Sequence, residues 1–102
     1  YAILSGLVGS EMCIRDRFST ADFISAQYLI QAKNPNGVSF ASYNVAHDKG
    51  SAFISEFGRI NSNGSIMTVT TDVEGSLCRI KVQPATTNVK LKIQSTRIRK
   101  SN

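Results

Sequence analysis

Apolar residues recur at every second position through most of this chain, in runs bounded by turn residues. A period of two is the repeat of a β-strand, whose successive side chains point to opposite faces. No window shows the three-and-four spacing of an amphipathic helix. The runs are rich in Val, Ile, Thr, Phe and Tyr, which suit a pleated, half-buried surface. The chain therefore reads as all-β, a small antiparallel β-sandwich of about six strands with hairpin connections.

The expected strands cover residues 24–33, 38–47, 51–62, 65–73, 76–83 and 88–98. The first puts Ala26, Tyr28, Ile30 and Ala32 on one face. Asn34-Pro35-Asn36-Gly37 is a turn, with Pro fixing φ and Gly open to positive φ. Asp48-Lys49-Gly50 suits a three-residue hairpin loop, with Gly in the left-handed position. Asn63-Gly64 is a strong hairpin signal, and Glu74-Gly75 makes the next turn. Pro84-Ala85-Thr86-Thr87 leads into the last strand.

Taken as hairpins, these turns set a register. Ile60 faces Met67, Met67 faces Val82, and Val82 faces Val89. Val69, Ile80 and Leu91 form the next layer, and Thr71, Cys78 and Ile93 the third. The apolar residues then share one face, and a one-residue slip would flip a whole strand. Phe53 and Phe57 have the opposite parity to Ile60. A bulge at or near Gly58 would let all three point inward, and a strand-interior Gly often marks one.

The first residues stand apart. Leu7-Val8-Gly9-Ser10-Glu11-Met12-Cys13-Ile14-Arg15-Asp16-Arg17 reads, in one frame, as the translation of a transposase-type sequencing-library adapter. Residues 1–17 are therefore expected to be artefactual, with no native domain. The native part, residues 18–102, is read as the C-terminal fragment of a longer protein. Met12 and Ile14 should then stay out of the core. The apolar start is not read as a signal peptide.

Removing those 17 residues from 102 leaves 85, enough for one small domain. A domain of that size buries only roughly 60–65% of its unfolded-chain surface, so help from neighbouring chains is expected. The formal charge stays at +5, because two basic and two acidic residues leave together. Cys78 becomes the one cysteine, excluding an intrachain disulfide and a cysteine-based metal cluster. Its alternation with apolar neighbours reads as a small buried hydrophobe. No apolar run approaches the roughly 20 residues of a membrane helix.

Little in the native part suggests chemistry. His47 lies beside Asp48, but a relay or a metal site needs a third group, and no second His exists. A turn, with Asp48 bonding backbone N–H groups, is the preferred reading. Asp72 and Glu74 could help hold a surface cation, although solvated carboxylates are the plainer reading. No general acid/base pair, phosphate loop or cofactor motif is present. Asn63-Gly64-Ser65 matches a glycosylation acceptor, but the turn explains it better. An enzyme is not expected, nor a cofactor, nor a metal.

The basic residues are better organised. The inferred register puts Lys81 opposite Lys90 and Arg79 opposite Lys92 on the outer face. Like charges directly across a ladder are destabilising. Arg97, Arg99 and Lys100 extend the stripe. Arg79, Lys81, Lys90 and Lys92 are thus a candidate contact surface for an acidic partner. A solvated face that discourages aggregation is the blander alternative. The absence of interleaved aromatics disfavours nucleic acid.

Several blocks together resemble a known family. They are Ala26-Gln27-Tyr28-Leu29-Ile30-Gln31, His47-Asp48-Lys49-Gly50, Ala52-Phe53-Ile54-Ser55-Glu56-Phe57-Gly58, Asn63-Gly64-Ser65 and Asp72-Val73-Glu74-Gly75. Arg79-Ile80-Lys81-Val82-Gln83-Pro84-Ala85-Thr86, Val89-Lys90-Leu91 and Thr96-Arg97 follow in order. The set is similar to a C-terminal β-domain of virion structural and tail-fibre-like proteins of tailed bacteriophages. Lys49 stands as an insertion in that family's His-Asp-Gly turn, and its paired glycines near the fourth turn are reduced to Gly75. The resemblance implies a non-enzymatic structural module located in the virion. It would display loops and contact other virion subunits in an oligomer. The alternative is a glycan- or cell-surface-binding module of a secreted or surface protein, for which Phe40 and Tyr43 are the candidate exposed aromatics.

Overall fold

The alternation resolves into β1 (Ala2–Val8), β2 (Cys13–Ser19), β3 (Phe23–Asn34), β4 (Gly37–Asp48), β5 (Ser51–Asn61), β6 (Met67–Glu74), β7 (Leu77–Pro84) and β8 (Val89–Arg99). The structure, a computed structural model, describes residues 2–8, 13–86 and 88–99, and of 2–8 and 13–15 the backbone alone. All six expected strands are present. The strands form a five-stranded sheet in the order β1-β8-β3-β4-β5 and a three-stranded sheet in the order β2-β7-β6. Every pairing is antiparallel. The fold is an all-β sandwich.

The inner faces carry most of the expected apolar set, joined by Phe18, Tyr43 and Val45. Tyr28, Ile30, Tyr43, Val45, Val89, Leu91 and Ile93 come from the larger sheet. Phe18, Met67, Cys78, Ile80 and Val82 come from the smaller one. Slipping β3 by one residue would turn Tyr28 and Ile30 to solvent. That costs on the order of 1.5–3 kcal/mol for each large apolar side chain, which is why the parity is firmly set.

The connections depart from the expected hairpins. β3–β4, β4–β5 and β6–β7 are hairpins, but β5 does not pair with β6, nor β7 with β8. Both of those connections cross between the sheets. The layers Met67–Val82–Val89, Val69–Ile80–Leu91 and Thr71–Cys78–Ile93 therefore share the core without sharing a sheet. In the β6–β7 ladder Met67 faces Pro84 and Val69 faces Val82, two residues away from the expected register. A shift of two keeps every side chain on its face, so the core membership survives.

The crossover after β5 explains why Asn63-Gly64 makes no hairpin. Gly64 does take a positive φ of 76°. The segment is held against β4, however. Val38 N donates to Ser62 Oγ, and Ser62 N to the Val38 carbonyl, each at 2.9 Å. The wholly buried Ser39 hydroxyl donates to Asn61 Oδ1 at 2.7 Å and accepts from Ile66 N at 3.1 Å. A buried hydroxyl needs partners, and these hold the crossing chain in place.

Two turns also differ in detail. Asp48 pairs with Ser51, so the β4–β5 loop has two residues, not three. Lys49 and Gly50 both have positive φ, 53° and 82°, as a type I′ turn requires. At Gly37 no positive φ is used. Its value is space, since an added Cβ would lie 2.9 Å from Ser62 Oγ.

The bulge at Gly58 is present. Phe40 faces Ile60 and Ser42 faces Phe57, so Ala41 stands opposite two residues, and Gly58 has φ 67°. Phe53, Phe57 and Ile60 do share a face, but it is the outer one. The inner side of β5 is taken by Ala52, Ile54, Glu56, Arg59 and Asn61. Its polar members answer the buried hydroxyls of Tyr43 and Ser39.

Of the first 17 residues, 2–8 form β1 and 13–17 most of β2. They lie at sheet edges, β1 against β8 and β2 against β7. The expectation that Met12 and Ile14 avoid the core concerns side chains outside the described residues.

Candidate functional site

Among the described residues, the outer face of the five-stranded sheet carries most of the large exposed apolar side chains. Phe53, Ile60 and Ile98 expose 60%, 62% and 60% of their surface, and Phe57 is also exposed. The register groups them. Ile98, Ser25, Ala46 and Phe53 form one row across β8, β3, β4 and β5. The next row is Thr96, Gln27, Asn44 and Ser55, and the third is Gln94, Leu29, Ser42 and Phe57. Phe40 and Ile60 lie opposite each other beyond it. Single exposed apolar residues are ordinary; here Phe57, Ile60 and Phe40 adjoin, with Phe53 and Ile98 beyond a polar row, and the combined face is a candidate interaction surface.

Between Phe53 and Ile98 this face carries a shallow depression of about 520 Å³. Ser25, Gln27, Asn44 and Ser55 line it with hydroxyls and amides beside the Phe53 ring. An aromatic edge with uncharged polar groups suits an uncharged polar ligand or an amphipathic protein surface.

Of the expected aromatic candidates, Phe40 lies on this face, half-buried. Tyr43 does not. It points into the sandwich and is buried. Its hydroxyl donates to Glu56 Oε1 at 2.6 Å and accepts from Arg59 Nη2 at 2.9 Å. Burial and the adjoining carboxylate push the Tyr43 hydroxyl well above its ordinary pKa. Bonds from Arg59 and Tyr43 hold the Glu56 carboxyl below its own. Arg59 also reaches Ser65 Oγ at 3.1 Å, linking β5 to the segment that enters the second sheet.

The four basic candidates do not form one stripe. Arg79 and Lys81 lie on β7 and Lys90 and Lys92 on β8, and these strands belong to different sheets. The expected Lys81–Lys90 and Arg79–Lys92 oppositions are therefore absent. Arg79 instead stands opposite Asp72, which accepts from its Nε and Nη2 at 2.7 Å each. Lys81 reaches the same carboxylate at 2.8 Å, and Glu74 pairs with Arg79. Arg79 and then Lys81 drive the Asp72 pKa far below its ordinary range. Asp72 and Glu74 are thus charge partners of these bases. Lys90 does meet a like charge across the ladder, but it is Lys33, and Lys92 faces Gln31. These three lysines occupy the opposite end of the outer face from Phe53 and Ile98. Arg97 turns inward to Asp16, at 3.0 Å, and Lys100 lies outside the described residues.

His47 belongs to β4, and its Nε2 lies 2.7 Å from the Phe23 carbonyl oxygen. A carbonyl can only accept, so that nitrogen carries the proton. Asp48 is exposed at the end of the strand. Among the described residues no group of three or more His, Cys, Asp or Glu is placed to hold a metal ion. Cys78 is fully buried, and burial raises its thiol pKa, as suits a packing residue. The Asn63 side-chain amide donates to the Asn36 carbonyl at 3.3 Å. Among the described residues no helix is long and apolar enough to cross a membrane.

No protein-family model and no curated protein matches the chain. Solved structures similar to it include two phage tailspike proteins. The tailspike protein of Acinetobacter phage vB_ApiP_P1 matches with a TM-score of 0.54 and 13% identity, over 97% of this chain and 20% of that one. The tailspike protein of Acinetobacter baumannii phage AM24 gives 0.45 and 11%, over 98% and 26%, too low a score to argue from. The chain spans about a fifth of the length of the first. At this identity the likeness is one of fold.

The outer apolar face had a signal in the sequence. Phe53 and Phe57 share a parity opposite to the core face extrapolated back from Met67. Assigning them inward assumed that β5 continues the sheet of β6, which it does not.

Proposed function

We propose that residues 18–102 form a non-enzymatic structural module of a phage virion, carried in a tail-associated protein, whose outer five-stranded face joins it to neighbouring subunits. The observation that carries this reading is the outward grouping of Phe53, Phe57, Ile60 and Ile98. A free monomer would leave that surface in water. The fold likeness to part of a phage tailspike protein supports the location. His47, Asp72, Glu56 and Arg59 are each engaged in bonds that hold the sandwich together, which supports a mechanical role. Mass spectrometry of purified particles of the encoding phage tests the reading. The chain should be recovered at structural stoichiometry, and its presence only in infected-cell lysate would overturn the assignment.

A second reading is favoured by the depression beside Phe53. Its hydroxyls and amides, together with the exposed ring, suit a glycan. Binding on a glycan array that disappears in Phe53→Ala would establish it, and an array without hits would remove it.

We also propose that residues 1–17 are not native. The support is the continuous one-frame match of eleven residues, from Leu7 to Arg17, to adapter sequence. Reading the locus from unamplified DNA tests this, and the same eleven codons in the genome would refute it.

A further inference from the structure

We infer that Tyr28, Arg97 and the rings of Phe18 and Phe23 form a socket for a carboxylate, filled in this chain by Asp16. Tyr28 is wholly buried, and its hydroxyl donates to Asp16 Oδ2 at 3.1 Å. Arg97 turns inward at the same level, and its Nη2 reaches both oxygens of Asp16 at 3.0 Å. The Arg97 guanidinium carbon lies 6.0 Å from the Phe18 ring centre and 5.7 Å from that of Phe23. These two rings meet edge to face at 6.3 Å and 89°. They shield one side of the cation from water, which strengthens its attraction for an anion. Arg99 adds a second positive charge over Phe23, at 5.5 Å.

The chemistry of the site selects its occupant. Among the described residues it offers one hydroxyl donor and one guanidinium, and Asp16 is the acid bonded to both. Left empty, it holds a partly buried charge and a buried hydroxyl without an acceptor, both costly. A carboxylate satisfies both at once. All four groups that form the socket lie in residues 18–102, and only the occupant lies before them. The socket therefore stands whether or not residues 1–17 are native. Where they are replaced, the segment or subunit packed there is required to bring an acidic side chain.

Asp16→Ala in the full chain empties the socket, and formate is the probe. Thermal midpoints are compared in sodium formate and sodium chloride at equal ionic strength. The variant should melt lower than the parent in chloride. Formate should restore part of the loss along a saturating curve, as a ligand bound only by the folded state does. The parent should show no such response, and Asp16→Ala/Arg97→Gln should lose it. Recovery of equal size in chloride, or recovery undiminished in the double variant, would overturn the socket. If Asp16→Ala does not fold, its refolding yield in the two salts gives the same comparison. Asp16→Asn, which keeps the shape and one acceptor, should then fold with an intermediate midpoint.

Discussion

Glu56 stands directly opposite Tyr43 across β4 and β5, and its Oε1 accepts the tyrosine hydroxyl at 2.6 Å. This contact decides which way β5 faces. A buried phenol requires a hydrogen-bond partner. With Glu56 turned inward to meet it, Phe53 and Phe57 are turned outward by the alternation of the strand. The apolar outer surface is thus a consequence of a polar need inside the sandwich.

Tyr43→Phe should destabilise the fold by about 1 kcal/mol, the net worth of an ordinary buried hydrogen bond. Glu56→Ala should cost more, on the order of 1–2 kcal/mol, because it leaves the phenol without its acceptor. Chemical denaturation of both variants measures the difference. Equal, negligible losses would show that Glu56 does not orient β5.

Asp72 makes stability depend on acid. Its folded pKa lies below its ordinary value of 3.8, with Arg79 as the leading cause. A carboxyl with a lowered folded value contributes fully above its unfolded value, and the contribution drains away as pH falls through the folded value. Asp72→Asn should therefore lose less stability than the parent on acidification below pH 3.8. Because the pair is partly open to solvent, added salt should narrow the gap. Denaturation midpoints across that acid range, in low and high salt, check both statements. Parallel curves for the two proteins would contradict the first.

Backbone handedness gives a pair of opposite predictions. Lys49 holds φ 53° in a turn that favours Asn or Gly. Lys49→Asn should raise stability by up to about 1 kcal/mol. Gly58 holds φ 67° with open space around a would-be Cβ. Gly58→Ala should cost about 1–2 kcal/mol through strain alone. Thermal melts of the two variants should shift in opposite directions.

Much of the fold was legible in the residues, and the reason is local. Alternation such as Ala26, Tyr28, Ile30 and Ala32 states which face is buried whatever strand lies alongside. A positive-φ position such as Gly64, or a bulge such as Gly58, is equally a property of a few residues. Pairing is not local. Asn63-Gly64 has hairpin chemistry, yet what sends the chain to the other sheet is a buried Ser39 on β4 gripping Asn61 and Ile66 N. That partner is 22 residues from Asn61, beyond the reach of turn rules. The same error joined Lys81 to Lys90, whereas the Asp72–Arg79 pair was hidden by a β6–β7 turn placed one residue early, at Glu74-Gly75. The pairing error also assigned Phe53 and Phe57 inward, so the candidate surface emerged only with the sheet order.

The central claim is that the outer face of the five-stranded sheet joins copies of this module. Size-exclusion chromatography with light scattering, on the parent and on Phe53→Asp/Phe57→Asp at micromolar concentration, tests it most directly. The parent should elute as a defined oligomer, and the variant as a folded monomer with its β spectrum intact. A parent that is already a stable monomer, or a variant that remains the same oligomer, would contradict the account.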